Sequence, residues 1–204
     1  MGSKARRRGQ RKQRVSPVKY VLLGVIIVSM MGLSFGILYD LGTPFGVGQP
    51  GLTYDGIRFA FDQRTGLYTF EYEDQIYNSL TAPHDLAFIE VPNATVEQIH
   101  TAREVGIARS SEPDQVLAVS AHYLSDAIRR GTNTNTRIGF TDSTPGISCN
   151  DASEQFPVIV YESDSEPGII IDGACTRIGY NTSFELISHS EALMFRALGI
   201  TRPR

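Results

Sequence analysis

Apolar and polar residues are arranged differently in different parts of the chain, and each arrangement predicts a different element. Residues 20–39 contain no charged side chain, and twenty helical residues span about 30 Å, the hydrocarbon thickness of a bilayer. Residues 56–62 and 67–73 alternate apolar and polar positions, as half-buried strands do. Residues 114–130 place apolar side chains at steps of three and four, which is typical of an amphipathic helix. The pattern predicts one transmembrane helix followed by a mixed α+β domain.

The two alternating segments are predicted to form an antiparallel hairpin. They flank residues 63–66, where Gly66 can adopt the positive φ that a tight turn requires. A third strand is predicted at residues 75–79. Aromatic residues on these strands indicate either the core side of a half-buried sheet, which we favour, or a stacking platform for sugars or a partner. They are Phe59, Phe61, Tyr68, Phe70, Tyr72 and Tyr77.

The remainder of the domain, which we place at residues 54–204, mixes strands and helices. Ser111 and Asp114 are expected to cap the helix at 114–130, and Thr182 with Glu185 forms a capping box for a last helix at 183–198 that Gly199 ends. An initial hairpin without strict βαβ repetition favours one α+β domain of about 150 residues, large enough to bury its own core. The other predicted elements are a strand or buried segment at 86–91 that Pro92 ends, a helix at 95–103, and strands at 105–108, 137–141, 156–161, 168–172 and 176–179.

The flanks of residues 20–39 predict the orientation of the chain. Residues 1–19 form a basic tail with eight Lys or Arg and no acidic residue, which by the positive-inside rule stays in the cytoplasm. Residues 40–53 contain four glycines and two prolines and are expected to form a stalk rather than a strand. A cleaved signal peptide is the alternative, but its apolar run is shorter and ends at a small-residue cleavage site that is missing here. We therefore predict a single-pass signal-anchor protein of the cell membrane with an extracytoplasmic domain.

Three glycines lie on one face of the predicted transmembrane helix. Gly32 and Gly36 form a G-x-x-x-G pair, and Gly24 lies two four-residue steps before Gly32. Small residues at this spacing let a second helix approach closely. The face therefore either pairs with another helix, including one from a second copy of this chain, or is a strip that faces lipid.

Charge is divided unequally between the two sides of the membrane. All 22 Asp and Glu lie from Asp40 onward, where the only basic residues are 11 arginines, so this part carries a net charge of −11. An acidic surface repels phosphate backbones, which excludes nucleic acid as a partner. The basic tail can attract anionic lipid headgroups, but we favour the interpretation that it is a topology signal only.

Cys149 and Cys175 are the only cysteines and are predicted to form a disulfide outside the cell. Closing a loop of about 25 residues removes chain entropy worth roughly 3.5 kcal/mol. Two buried free thiols are the alternative. The spacing is not that of a Cys-x-x-Cys redox motif, and two cysteines do not suffice for a structural zinc site.

Catalytic and metal-binding patterns are weak in the sequence. His84 beside Asp85 is the best candidate for general acid or base chemistry, but no serine or cysteine nucleophile can be named with it. Glu97 and His100 have the i, i+3 spacing of one half of a di-metal site, yet a second such pair is missing, which favours a solvated helix face. We expect no cofactor and no metal, and the sequence favours a non-enzymatic role over an enzymatic one.

Two triplets, at Asn93 and Asn181, match the acceptor pattern for N-glycosylation and lie on the outer side of the predicted membrane span. Each precedes a predicted helix. The alternative is that Asn93 and Thr182 are helix caps and that the triplets arise by chance.

Part of the sequence resembles uncharacterised archaeal single-pass membrane proteins. Residues 54–59 (YDGIRF) are similar to their Tyr-Asn-Gly-Phe-x-Phe opening, with Asp55 in place of Asn. The two cysteines, residues 157–159 and the closing helix before Gly199 are similar to the end of those proteins. The resemblance implies an archaeal envelope protein and supplies no catalytic residues.

These observations favour an interaction or assembly subunit of an envelope or membrane complex, anchored by one helix and presenting an acidic outer domain with a disulfide. Its expected partners are the lipid bilayer and other membrane or envelope proteins. An envelope hydrolase using His84 and Asp85 is the first alternative. A ligand-binding or sensory domain using the aromatic face is the second, and it would need a concave apolar pocket.

Overall fold

The computed structural model describes residues 51–111, 114–163 and 165–200. The predicted tail, the transmembrane helix with Gly24, Gly32 and Gly36, and the stalk up to residue 50 lie outside these residues. Within the described ranges, every helix is too short or too polar to cross a membrane. The outer domain alone can therefore be compared with its predicted elements.

The first sheet is an antiparallel meander of four strands: β1 (Gly51–Tyr54), β2 (Ile57–Asp62), β3 (Leu67–Tyr72) and β4 (Gln75–Ser79). The predicted hairpin is confirmed. Its turn is held by Asp62, whose carboxylate accepts from the backbone N–H of Arg64 at 2.8 Å and the hydroxyl of Thr65 at 2.9 Å, and Gly66 has φ +73°.

Strand β1 corrects the predicted stalk at residues 40–53, because the chain is already extended and paired from Gly51. Gly51 lies opposite Ala60, and Leu52 opposite Phe59. A glycine disfavours a strand locally, but pairing along β2 supplies the hydrogen bonds, and Leu52 packs against the core. Long-range pairing therefore outweighs the local preference here.

The second sheet contains β5 (Glu104–Arg109), β6 (Asn135–Phe140), β7 (Val158–Ser163), β8 (Gly168–Asp172) and β9 (Cys175–Tyr180). The strand order is β6-β5-β7-β9-β8. The first four strands in this order are parallel, and β8 is antiparallel to β9. The domain is α+β as predicted, and each strand predicted in this region overlaps an observed one. The sequence reading missed that most of the second sheet is parallel.

Four α-helices lie among the described residues: α1 (Pro83–Leu86), α2 (Asn93–Thr101), α3 (Gln115–Gly131) and α4 (Ser183–Ala197). The strand predicted at 86–91 is wrong, but the alternative of a buried segment holds in part, because Leu86 is buried and Ala87, Ile89 and Val91 pack against the core. Pro83 stands in the first turn of α1, where its fixed φ suits a helix start. The chain then runs without regular structure to Pro92, which is the N-cap of α2.

The ends of the two long helices follow the sequence signals closely, with one correction. The cap of α3 is Asp114, which accepts from the backbone N–H groups of Val116 and Leu117. Ser111 does not cap it, since its backbone N–H and hydroxyl donate to Asp142. The capping box of Thr182 and Glu185 is confirmed at the start of α4, and Gly199 ends that helix with φ +78°.

The main core lies between the helices and both sheets. The rings of Phe59 and Phe70 are 4.6 Å apart and both pack against Phe195 of α4. Phe59, Phe70 and Tyr77 are buried, so the aromatic stripe is mainly core, as favoured from the sequence. Phe61 and Tyr68 pair with each other at the half-buried end of the same strands.

A smaller apolar cluster is closed by the predicted disulfide, which is confirmed. Cys149 and Cys175 are bonded with a Cα–Cα distance of 5.2 Å, and Cys175 is buried with Ala108, Val158 and Val160. The segment that follows β6 and precedes β7 packs tightly there, because a Cβ on Gly106 would lie 2.8 Å from Phe156. The disulfide therefore fastens this segment to the first residue of β9.

Candidate functional site

An apolar groove lies between α3 and α4 and is the most distinctive concave surface of the described domain. Its volume is about 260 Å³. Leu124 and Met194 are buried in it, Val116 and Ile187 are half-buried, and Leu80, just after β4, closes one end. The groove is therefore built by two helices and by the segment that connects the first sheet to them.

The groove follows from the excess of apolar residues on α3. Leu117, Ala121, Leu124 and Ile128 form the stripe that enters the core. A second apolar row lies beside this stripe, offset from it by about one residue along α3. It is formed at steps of three and four by Val116, Val119 and Tyr123. Val119 and Leu80 are each 45 % exposed, and Tyr123 is 40 % exposed. The helix thus has a wider apolar face than the core covers.

Glu191 of α4 is the one acidic residue among the described residues that line the groove, and no Arg, Lys or His is found among them. Its side chain is 8 % exposed. The two carboxylate oxygens accept from the backbone N–H groups of Leu80 at 2.5 Å and Thr81 at 2.9 Å. Burial raises the pKa of Glu191 above its ordinary value, and these hydrogen bonds oppose that shift. The carboxylate therefore ties the chain leaving β4 to α4.

Ser190, a second buried polar residue of the lining, has its hydrogen-bond partners within the domain. The hydroxyl of Ser190 donates to the carbonyl of Leu186 at 2.7 Å and lies 3.2 Å from the hydroxyl of Tyr161. Burial raises the pKa of Tyr161 strongly, so this phenol stays neutral. The lining therefore offers mainly apolar contacts, and its described residues contain no paired nucleophile and base.

The predicted pair His84 and Asp85 lies on α1, away from the lining of the groove. The imidazole Nε2 and the carboxylate Oδ1 are 3.3 Å apart, and the two side chains are 64 % and 56 % exposed. An exposed pair of this kind is worth little energetically and is surrounded by water. The structure places the two residues together, and neither of them lines the groove.

The remaining candidate residues lie on the surface at helix starts and faces. Glu97 and His100 are exposed on α2, and no group of three or more His, Cys, Asp or Glu in the described ranges could hold a metal ion. Asn93 begins α2, and its amide oxygen accepts from Arg196 at 2.6 Å. Asn181 is exposed just before the N-cap Thr182. Glycosylation of the two asparagines remains a prediction.

The groove was missed by sequence reasoning, although part of its signal was present. The row formed by Val116, Val119 and Tyr123 shows that α3 has apolar residues beyond its core stripe. The contact of Glu191 with Leu80 joins positions 111 residues apart, and no local pattern indicates it. No protein-family model, no curated protein and no solved structure matches the chain. Three features of the chain bear on its function: the groove, the net negative charge from residue 40 onward and the sequence of the first fifty residues.

Proposed function

We propose that the chain is a single-pass, membrane-anchored interaction or assembly subunit of an envelope or membrane complex. Its acidic outer domain, stapled by one disulfide, binds another protein in the groove between α3 and α4. The observation that carries the proposal is the exposed apolar row of Val119, Tyr123 and Leu80 around that groove. An exposed concave apolar surface on a charged domain is typical of an interaction site.

The membrane part of the proposal is supported by the sequence. The uncharged residues 20–39 and the basic residues before them favour a cell-membrane anchor with the N-terminus in the cytoplasm. The resemblance to archaeal envelope proteins agrees with this location. The glycine face of Gly24, Gly32 and Gly36 offers a second contact, within the membrane, to a partner or to another copy.

The experiment is extraction from native membranes in mild detergent, followed by native mass and identification of bound proteins. We expect a stoichiometric complex, and we expect Val119→Asp to dissociate it because a carboxylate would have to be buried in the contact. Ile138→Asp is the matched control, since Ile138 is 41 % exposed on β6 and does not line the groove. A strictly monomeric protein without bound components would contradict the proposal.

A ligand-binding outer domain is the second candidate, and the concavity of the groove favours it. The aromatic face that suggested this function in the sequence is mainly core, but the groove provides an apolar pocket with few polar groups. A small molecule that co-purifies with the wild type and is lost from Val119→Asp would identify this function.

A further inference from the structure

The groove has a charge character that restricts what can occupy it. Glu191 is its only carboxylate, and among the described lining residues no basic side chain accompanies it. The nearest arginines on α3 are already engaged, because Arg129 and Arg130 both pair with Asp126. Arg130 also lies over the ring of Tyr77, 5.3 Å from its centroid. The lining therefore offers no basic side chain to an occupant with negative charge, which would also approach a domain of net negative charge.

The shape of the groove suits an α-helix. The wall formed by α3 presents Val116, Val119 and Tyr123 at steps of three and four, and the wall formed by α4 presents Ile187 and Met194, seven residues apart. A third helix packs into such a groove by placing its own i, i+3 and i+7 residues between these rows. A second copy of this chain is a poor occupant, because residues 40–204 carry a net charge of −11 in each copy and repel each other.

From these observations we infer that the groove binds a cationic amphipathic helix of another protein, with apolar residues against α3 and α4 and Lys or Arg along its flanks. This inference rests on the proposed function and specifies the chemistry of the partner. The basic flanks face an acidic domain, so electrostatic attraction accelerates the encounter and selects against acidic helices. The apolar row supplies the contact that persists when salt screens the charges.

The test uses three synthetic helical peptides that share the same apolar residues and one tryptophan. Their polar faces carry Lys, Gln or Glu. The full-length chain contains no tryptophan, so a bimane label on His122→Cys, beside Tyr123 on α3, is quenched only when the peptide tryptophan touches it. The same label on Ile170→Cys, 51 % exposed on the edge strand β8, is the control position. The protein is held in nanodiscs of zwitterionic lipid.

We expect the Lys peptide to quench the label on α3 but not the label on β8. We expect it to bind at least about tenfold more tightly than the Glu peptide at low salt, a ratio that shrinks at about 1 M salt, where the Debye length is about 3 Å. Val119→Asp should weaken the Lys peptide by at least about tenfold, and Ile138→Asp should leave its binding unchanged.

Several results would overturn the inference and leave the proposed function testable by itself. Equal binding of all three peptides would remove the charge requirement. Quenching that Val119→Asp leaves unchanged would remove the groove as the site, and a native complex that survives the same substitution would show that the subunit assembles by another surface. A homo-oligomer or a bound lipid that Val119→Asp abolishes would identify a second copy or a lipid as the occupant instead.

Discussion

The two faces of the second sheet are covered in different ways. On one face the segment between β6 and β7 packs against Gly106 and is fastened by the disulfide of Cys149 and Cys175. On the other face α3 and α4 cover the strands but leave an apolar groove that Glu191 borders. The face covered by the segment between β6 and β7, the closed face, uses its apolar residues for stability. The face covered by α3 and α4, the open face, keeps some of its apolar residues exposed. The difference teaches that the exposed apolar row of Val119, Tyr123 and Leu80 borders the groove of α3 and α4 and is not part of the apolar cluster that the disulfide closes, although Ile170 of the edge strand β8 is also exposed.

The largest expected effect on the free energy of unfolding comes from removing the disulfide on the closed face. Replacing Cys149 and Cys175 by Ala together should lower the free energy of unfolding by roughly 3.5 kcal/mol, because the unfolded chain regains the entropy of a loop of 26 residues. Urea denaturation of the oxidised wild type and the double variant measures the difference. A loss below about 1 kcal/mol would show that the segment is held by packing alone and would weaken the contrast between the faces.

The next largest effect on the free energy of unfolding tests the hydrogen bonds of Glu191 on the open face. Glu191→Ala leaves the N–H groups of Leu80 and Thr81 without their acceptor, which should cost about 2–3 kcal/mol of unfolding free energy. Asp85→Ala is the matched control, since that carboxylate is exposed and should change stability by less than about 0.5 kcal/mol. Equal effects of the two substitutions would contradict the role given to Glu191.

The pH dependence of the free energy of unfolding tests the same contact of the Glu191 carboxylate. The raised pKa of Glu191 means that the folded state holds its proton more tightly than the unfolded state, so this residue's contribution falls as pH rises from its unfolded value through its folded value. Glu191→Gln does not titrate. The unfolding free energy of the wild type, relative to that of Glu191→Gln, should therefore fall as pH rises above the ordinary glutamate value of 4.5, and a relative rise would reverse the assignment.

The smallest expected effect on the free energy of unfolding is that of Val119→Asp. This substitution also tests the open face most directly. Val119→Asp should change the unfolding free energy by no more than about 0.5 kcal/mol, because Val119 is nearly half exposed on α3. Its effect on complex formation should be large by contrast. Thermal denaturation of the isolated variant separates the two readings, since a strongly destabilised variant would mean that Val119 belongs to the core.

Elements that depend on local chemistry could be predicted from the sequence. The β2–β3 hairpin follows from alternation and Gly66, and both ends of α4 follow from the capping box and Gly199. The disulfide follows from there being only two cysteines. In each case the residues that determine the element lie within or beside it.

Elements that depend on distant partners could not be predicted. Gly51 joins a strand because β2 pairs with it. Residues 86–91 are apolar enough for a strand, but in the structure they pair with none and form an irregular connection. Serine is a common helix-cap residue, but Ser111 instead donates a hydrogen bond to Asp142, 31 residues away. The groove needs α3, α4 and Leu80 in one place, which only the tertiary fold brings together.

The bond between Glu191 and the chain after β4 also changes how that segment exchanges with solvent. The amides of Leu80 and Thr81 lie outside regular secondary structure, where backbone N–H groups ordinarily exchange hydrogen rapidly. Because a buried carboxylate of α4 holds both of them, their deuterium uptake should follow the opening of that helix rather than the motion of a loop. The exchange rates of these two amides therefore report how long the groove keeps its shape.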